Sequence, residues 1–482
     1  MTPREYYSDF PVLPTVRDLI LDGFERGGDK RQFLFEDEEG NEKEKRFSDV
    51  RRDTLAFAAF LRSKGLAKGD RFAILCENRY FWNVAFYACA VSGIVILPLD
   101  VGLAEDGVID QIEASGCRAA FCSEKQRPKI DACLARESCP LEFFFSTGEE
   151  EKYVDPGSGA DGADAAPDIE VKPDDLLAIV YTSGTTGRTK GIMLTHKNVC
   201  ADVYAVVHLQ KPVHGIGLLP LNHTFSWVSG LFATLVASQW GYICTNLSHV
   251  YRDIKKYRPY QFAAVPMVVE MIYQNIIITA KRNGSYDRLM QGIEMSRNFM
   301  LSGYDARREM FSEIHEKFGG NLETIYCAGA YLDPKIERFM FDIGIQVLTA
   351  YGLTECSPGV TCSRRYEYKF GSAGLPMECC EIRINEPDED GVGEIYVRGD
   401  NVMAGYYNDP DATASVFDGE WLKTGDVGYI DEDGYLFFTG RKKNLIILSN
   451  GKNVSPEEIE NRIRSDIEYV KEVVVSAKNG LI

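Results

Sequence analysis

The residues best suited to chemistry cluster at Tyr181-Thr-Ser-Gly-Thr-Thr-Gly-Arg-Thr-Lys-Gly191. Gly184, Gly187 and Gly191 leave out a Cβ where the backbone must bend toward a ligand. Thr182, Ser183, Thr185 and Thr186 supply hydroxyls, the turning backbone supplies N–H donors, and Lys190 supplies a fixed positive charge. That combination is a cradle for a polyphosphate. Its spacing is not the common GxxxxGK[ST] loop, because Lys190 lies three residues after Gly187 and is followed by glycine. The apolar run 176–180 just before it predicts a buried strand feeding the loop.

The elements that must position this loop follow from the patterning. Residues 15–24 carry apolar side chains at helical spacing. Residues 32–36 and 45–47 read as a hairpin around the turn Glu39-Gly-Asn. Ser48 starts a long amphipathic helix with Leu55, Phe57, Ala58 and Leu61 on its buried side. A strand at 70–76, a helix at 81–92 and a strand at 94–99 follow, and this rhythm predicts a mostly parallel sheet covered by helices. Residues 155–167, rich in Gly, Ala, Asp and Pro, predict an exposed, mobile connection between lobes. Further on come a short strand at 262–266 ending in proline, a helical region at 275–317, and strands at 323–327 and 346–348. From Gly371 the pattern changes to short strands at 381–385, 393–398 and 434–438 between Gly and Asp turns, which predicts a small β-barrel-like lobe. Ser455-Pro-Glu-Glu458 is a capping box that starts a helix, and 473–476 reads as a strand.

Composition narrows the function. A chain of 482 residues is too long for one small core, so one large domain with internal lobes plus a further piece is expected. The net charge of −19 argues against a nucleic-acid partner and against an electrostatic hold on anionic membranes. Residues 1–10 have no apolar core of a signal peptide, and no apolar run is long enough to span a bilayer. The thirteen cysteines lack zinc-site spacing and read as reduced thiols of a cytoplasmic protein, with the adjacent Cys379 and Cys380 unsuited to bridging each other.

The segment 181–191 resembles the phosphate loop of the adenylate-forming enzymes, which comprise acyl- and aryl-CoA synthetases, luciferases and peptide-synthetase adenylation domains. Three more motifs stand in that family's order, Tyr351-Gly-Leu-Thr-Glu355, Thr424-Gly-Asp426 and Arg441-Lys-Lys443, so the resemblance runs over nearly the whole chain. TKGIMLTH from Thr189, CAGAYLDP from Cys327 and YGLTECSP from Tyr351 are most similar to bacterial long-chain acyl-CoA synthetases.

The resemblance implies an α/β fold: a large N-terminal domain, 1–440, with α/β lobes at about 1–180 and 181–355 and a β-rich lobe at about 356–440. A hinge and an incomplete small α+β C-terminal domain would occupy 441–482. It implies ATP-dependent activation of a carboxylic acid, a medium- or long-chain fatty acid, to acyl-AMP and then to the coenzyme A thioester. An aryl-CoA ligase, an enzyme loading a carrier protein, and a nucleotide-binding protein without ligase activity are the alternatives. The small-molecule acid, ATP and coenzyme A are the expected partners, with at most peripheral membrane contact.

Residue by residue, the resemblance gives Thr182, Ser183, Gly184, Thr185, Thr186, Gly187 and Lys190 to the phosphates. Gly329 and Ala330 form the adenine turn, Tyr351 stacks on adenine, and Gly352 lines both the nucleotide site and the acyl pocket. Thr354 places its hydroxyl near the α-phosphate, and Glu355 holds Mg²⁺ with Thr185. Asp426 and Arg441 take the ribose. His223 stands beside the carboxylate to be activated, Trp227 at the mouth of the acyl pocket, and Lys443 at the hinge. The catalytic set is thus Lys190, His223, Thr354, Glu355 and Lys443. The family's late lysine loop has no counterpart after Lys443, so weak adenylation by this chain is expected.

Overall fold

Residues 12–37, 39–148, 165–182, 189–447, 453–467, 470 and 472–476 are described by a computed structural model. Among them, those up to 253 together with 354–358 and 400–415 form one compact unit; 254–353, 359–399 and those from 416 onward form a second.

In the first unit, Thr15 caps α1 (Val16–Gly27), its Oγ1 accepting from the Asp18 N–H. The hairpin β1 (Arg31–Glu36) and β2 (Glu42–Arg46) closes as expected, but Phe47 opens helix α2 (Phe47–Ser63) and does not extend the strand. Leu55, Phe57, Ala58 and Leu61 are all buried. Strand β3 (Arg71–Leu75), helix α3 (Tyr80–Val91) and strand β4 (Val95–Pro98) follow. Every residue of α3 is buried, as a helix apolar on all sides requires. Helix α4 (Glu105–Ser115), β5 (Ala119–Cys122), α5 (Arg127–Leu134) and β6 (Phe143–Ser146) complete a parallel run in the order β4-β3-β5-β6. Phe57, Phe81 and Phe145 meet between α2, α3 and this sheet with ring centroids 5.0 and 6.2 Å from Phe57.

Strand β7 (Leu176–Thr182) adds to β4 in parallel, and β8 (Lys190–Thr195) returns antiparallel to β7. Helix α6 (His196–Leu209) leaves β8 through a capping box in which Thr195 and Asn198 hydrogen-bond reciprocally. A second sheet in this unit pairs β2 and β1 with β9 (Gly215–Gly217) and β10 (Gly241–Ile243). The 155–167 connection lies outside the described residues except for 165–167, and there Pro167 is buried, its carbonyl accepting from Arg17 Nη2 at 2.7 Å.

In the second unit, β11 (Gln261–Ala264) ends before Pro266, which instead occupies the first turn of α7 (Pro266–Arg282), a position that needs no N–H donor. Helix α8 (Tyr286–Leu301), strand β12 (Thr324–Cys327), helix α9 (Pro334–Asp342) and strand β13 (Gln346–Gly352) follow, with β11, β12 and β13 parallel. Strand β14 (Gly359–Cys362) then turns the edge antiparallel.

The β-rich region holds β15 (Cys380–Asn385), β16 (Gly393–Gly399), β17 (Trp421–Ile430) and β18 (Leu436–Arg441), with Phe417–Asp418 on one end of β17. All pairs are antiparallel, and among the described residues no ladder joins β15 to β18. The region is therefore an open sheet and not a closed barrel. Helix α10 (Pro456–Asp466) packs on β18: its N-cap Ser455 donates to Thr439 O at 2.6 Å. The expected boundary at 180/181 would cut the β7–β8 hairpin, and the expected one at 440/441 would cut β18 from α10.

Candidate active site

The register of β7 and β8 fixes which residues flank the glycine-rich segment. Tyr181 faces Gly191 and Thr182 faces Lys190, so residues 183–189 are the connection of a hairpin. A strand follows this loop, not the helix that follows a GxxxxGK[ST] loop. Ser183, Gly184, Thr185, Thr186 and Gly187 lie outside the described residues. Space at Gly191 is tight: a Cβ there would stand 3.0 Å from Ile179 Cγ2 and 3.1 Å from Tyr181 Cζ.

Lys190 extends its ammonium over the ring of Tyr406, 4.5 Å from the centroid. Tyr406 reaches that place because the short strand Gly405–Tyr406 pairs antiparallel with β8, with Tyr406 opposite Ile192. The Tyr406 hydroxyl donates to Glu355 Oε1 at 3.1 Å. Burial and the neighbouring Glu355 hold that phenol well above its ordinary pKa, so it remains a donor. Lys190, Tyr406 and Glu355 thus form one charged cluster.

Backbone bonds hold Glu355 in place. It lies in the 3₁₀ turn Thr354–Cys356, and its carbonyl accepts from Met403 N–H at 2.8 Å. Ser357 Oγ donates to Asn401 O, and Asn198 Nδ2 donates to both Asp400 O and Val402 O at 2.8 Å. Asn198 therefore does two jobs: it completes the α6 capping box and clamps the segment that carries Tyr406. A half-buried carboxylate is a suitable Mg²⁺ ligand, because this ion takes one or two protein carboxylates and fills its other positions with phosphate and water. Among the described residues no group of three or more His, Cys, Asp or Glu is arranged to hold a metal ion.

The second unit holds a cavity of about 150 Å³. Gly329, Ala330, Tyr351, Gly352, Asp426 and Arg441, six residues expected to bind nucleotide, all line it, together with Phe438 and the segment from Gly371 to Ala373. Gly329 stands at φ +93°, a conformation that a side chain would strain, at the end of β12. Tyr351 lies on β13, which runs beyond the expected strand to Gly352.

Asp426 sits in a bulge of β17. Glu394 pairs with Val427 and Tyr396 with Lys423, so two steps on β16 are matched by four on β17. The extra residues lie at Thr424, Gly425 and Asp426, with Gly425 at φ +72°. Thr424 Oγ1 donates to Ile395 O and accepts from Asp426 N–H, and Glu394 Oε1 accepts from Gly425 N–H. This takes Asp426 out of the β16–β17 ladder while it stays opposite Arg441 on β18, and re-aiming a side chain is the usual role of a bulge beside a site. Its carboxylate accepts from Tyr351 OH at 2.8 Å and pairs with Arg441 Nε at 3.2 Å. Burial pushes the Asp426 carboxyl above its ordinary pKa, while Tyr351 and Arg441 pull it back. Two acceptor oxygens held by replaceable donors suit a vicinal diol.

The remaining expected residues are placed separately. Thr354 is half-buried at the start of its turn. His223 is exposed and precedes a short helix, Thr224–Ser226. Trp227, expected at the mouth of an acyl pocket, is fully buried: its ring is 5.0 Å from that of Phe86, and its Nε1 donates to Leu221 O at 2.6 Å. Core packing accounts for that position. Lys443 is exposed in the 3₁₀ turn Lys442–Asn444; its neighbour Lys442 is the anchored one, 2.6 Å from Glu394 Oε2. Sequence reasoning missed Tyr406, Asn198 and Glu394. Their only signals were a Gly-Tyr-Tyr run, an Asn three residues after Thr195, and an acidic residue at a strand start.

The hairpin lysine lies beside a held carboxylate, and the cavity holds the buried Asp426 paired with the exposed Arg441. The chain belongs to the AMP-binding enzyme family, which matches residues 24–407. The long-chain-fatty-acid–CoA ligase FadD15 of Mycobacterium bovis is 27% identical over 448 residues, covering 87% of this chain and 73% of that protein. The anthranilate CoA ligase AuaEII, solved with anthranoyl-AMP, superposes with a TM-score of 0.77 at 19% identity over 97% of this chain and 83% of its own. The N-terminal domain of FACL13 from Mycobacterium tuberculosis gives a TM-score of 0.71 at 21% identity, covering 88% of this chain and 99% of that domain. At these identities the two structures speak for the fold.

Proposed function

We propose that this protein is an AMP-forming ligase that joins a medium- or long-chain fatty acid to coenzyme A through an acyl-adenylate. The observation that carries the reading is the convergence of Gly329, Ala330, Tyr351, Gly352, Asp426 and Arg441 on one cavity. The likeness to a long-chain-fatty-acid–CoA ligase over 87% of the chain supports the acid and thiol assignments.

Adenosine is assigned to the cavity, with the ribose hydroxyls replacing Tyr351 OH and Arg441 on the Asp426 carboxylate. Lys190 is assigned to the polyphosphate, and Thr354 supplies a hydroxyl near the α-phosphate. Glu355 and the Thr185 hydroxyl would hold Mg²⁺, which neutralises phosphate charge when bound. Tyr406 keeps Glu355 oriented through its hydroxyl. A carboxylate oxygen of the acid attacks the α-phosphorus and pyrophosphate departs; the coenzyme A thiolate then attacks the acyl carbon and AMP leaves. Positioning and fixed charge supply the catalysis.

The test is pyrophosphate release from ATP across a panel of acids. Each buried methylene adds about 0.8 kcal/mol, so four more favour the longer acid roughly a hundredfold. Dodecanoate should exceed acetate and benzoate in kcat/KM; the reverse order would remove the fatty-acid assignment.

A further inference from the structure

Outside this machinery, the Sγ atoms of Cys133 and Cys139 lie 3.1 Å apart. Cys133 is fully buried in the last turn of α5, and Cys139 is half-buried in the connection to β6. Two successive turns bring them together: Arg136 N–H donates to Cys133 O at 3.0 Å, and Cys139 N–H donates to Arg136 O at 3.2 Å. The tip is tied to α4 at two points. Arg136 Nη2 pairs with Asp106 Oδ1 at 2.7 Å, and Ser138 Oγ donates to Glu113 Oε1 at 2.7 Å. Backbone and side chains together hold the sulfurs in this approach.

We propose that Cys133 and Cys139 are a modification site, a dithiol that closes reversibly to a disulfide. The covalent S–S length is ~2.05 Å, so about 1 Å of movement completes the bond. The oxidant is a low-molecular-weight disulfide. The more accessible Cys139 loses its proton, and its thiolate attacks one sulfur of that disulfide, releasing the first small thiol. Cys133 then loses its proton, and its thiolate attacks the Cys139 sulfur, releasing the second. Two protein thiols are oxidised and one external disulfide is reduced to two thiols. Burial, Cys139 and Glu113 push the Cys133 thiol up to about 12, against the pull of Arg136, which makes the second displacement the slow one.

The experiment treats the native chain with oxidised glutathione, blocks remaining thiols in denaturant and digests with trypsin. Cleavage after Lys129, Arg136 and Lys152 separates 130–136 from 137–152. The proposal expects these two peptides to run as one linked species, released by dithiothreitol and absent from Cys139→Ser. Both peptides recovered unlinked and blocked, Cys139 carrying glutathione alone, or Cys133 linked to a different cysteine would each overturn it.

Discussion

Glu355 is where chemistry and framework meet, since one of its oxygens takes the Tyr406 hydroxyl and its carbonyl takes Met403 N–H. Glu355→Gln keeps an acceptor for Tyr406 and removes the charge, so the fold should persist while adenylation falls by about 10²-fold. Pyrophosphate release by the folded variant measures this, and an unchanged rate would take Glu355 out of the metal role. A second residue matters for stability. Glu337 on α9 is 1% exposed; its Oε2 accepts from Gly371 N–H at 2.9 Å, while its Oε1 is buried without a partner. Burial raises its carboxyl from 4.5 to about 7. The folded state therefore holds this proton more tightly than the unfolded one. The stability that protonation contributes is full below pH 4.5 and is lost as pH rises through 7, a swing of up to about 3 kcal/mol. Glu337→Gln should raise Tm at pH 8 and leave it near the parent at pH 4.5. A Tm lowered at pH 8 would contradict that sign.

At the scale of elements, two glycines at positive φ separate backbone strain alone from strain joined to a steric clash. Gly425 stands at φ +72°, and a methyl group added there would meet no other atom within 4 Å, so Gly425→Ala strains only the bulge that aims Asp426. It should cost about 1–2 kcal/mol, seen as roughly tenfold weaker AMP binding by calorimetry in a protein that still folds. Gly374 is different: a Cβ there would lie 2.1 Å from the backbone of Cys362 and Ser363. Gly374→Ala should therefore lower soluble yield and Tm, and a normal Tm would show that the strand β14 can shift. The same contrast explains what could be read in advance. The α/β rhythm and the helix cap at Ser455 were legible because periodicity and local hydrogen bonding are written in adjacent residues. The bulge at 424–426, the extension of β13 through Gly352, and the open form of the β-rich sheet were not, because each depends on a partner strand far away in sequence. Tyr406 was missed for the same reason: its role comes from pairing with β8. Trp227 lies near a motif in sequence, and its indole N–H and ring are satisfied in the core.

At the scale of the whole molecule, no helix among the described residues is long and apolar enough to cross a membrane, and the net charge is −19. An acidic surface gives no electrostatic attraction to anionic lipid, so binding to phosphatidylserine vesicles should be weak and should not strengthen at low salt; tight, salt-sensitive sedimentation with such vesicles would contradict this. The central claim, that carboxylate activation runs through an acyl-adenylate, is tested most directly by oxygen transfer. Dodecanoate labelled with ¹⁸O in both carboxylate oxygens is turned over with ATP and coenzyme A, and the nucleotide product is weighed by mass spectrometry. The attack of a carboxylate oxygen on the α-phosphorus predicts AMP carrying one ¹⁸O, formed only when the acid is present. Unlabelled AMP, or ADP as the acid-dependent product, would contradict it.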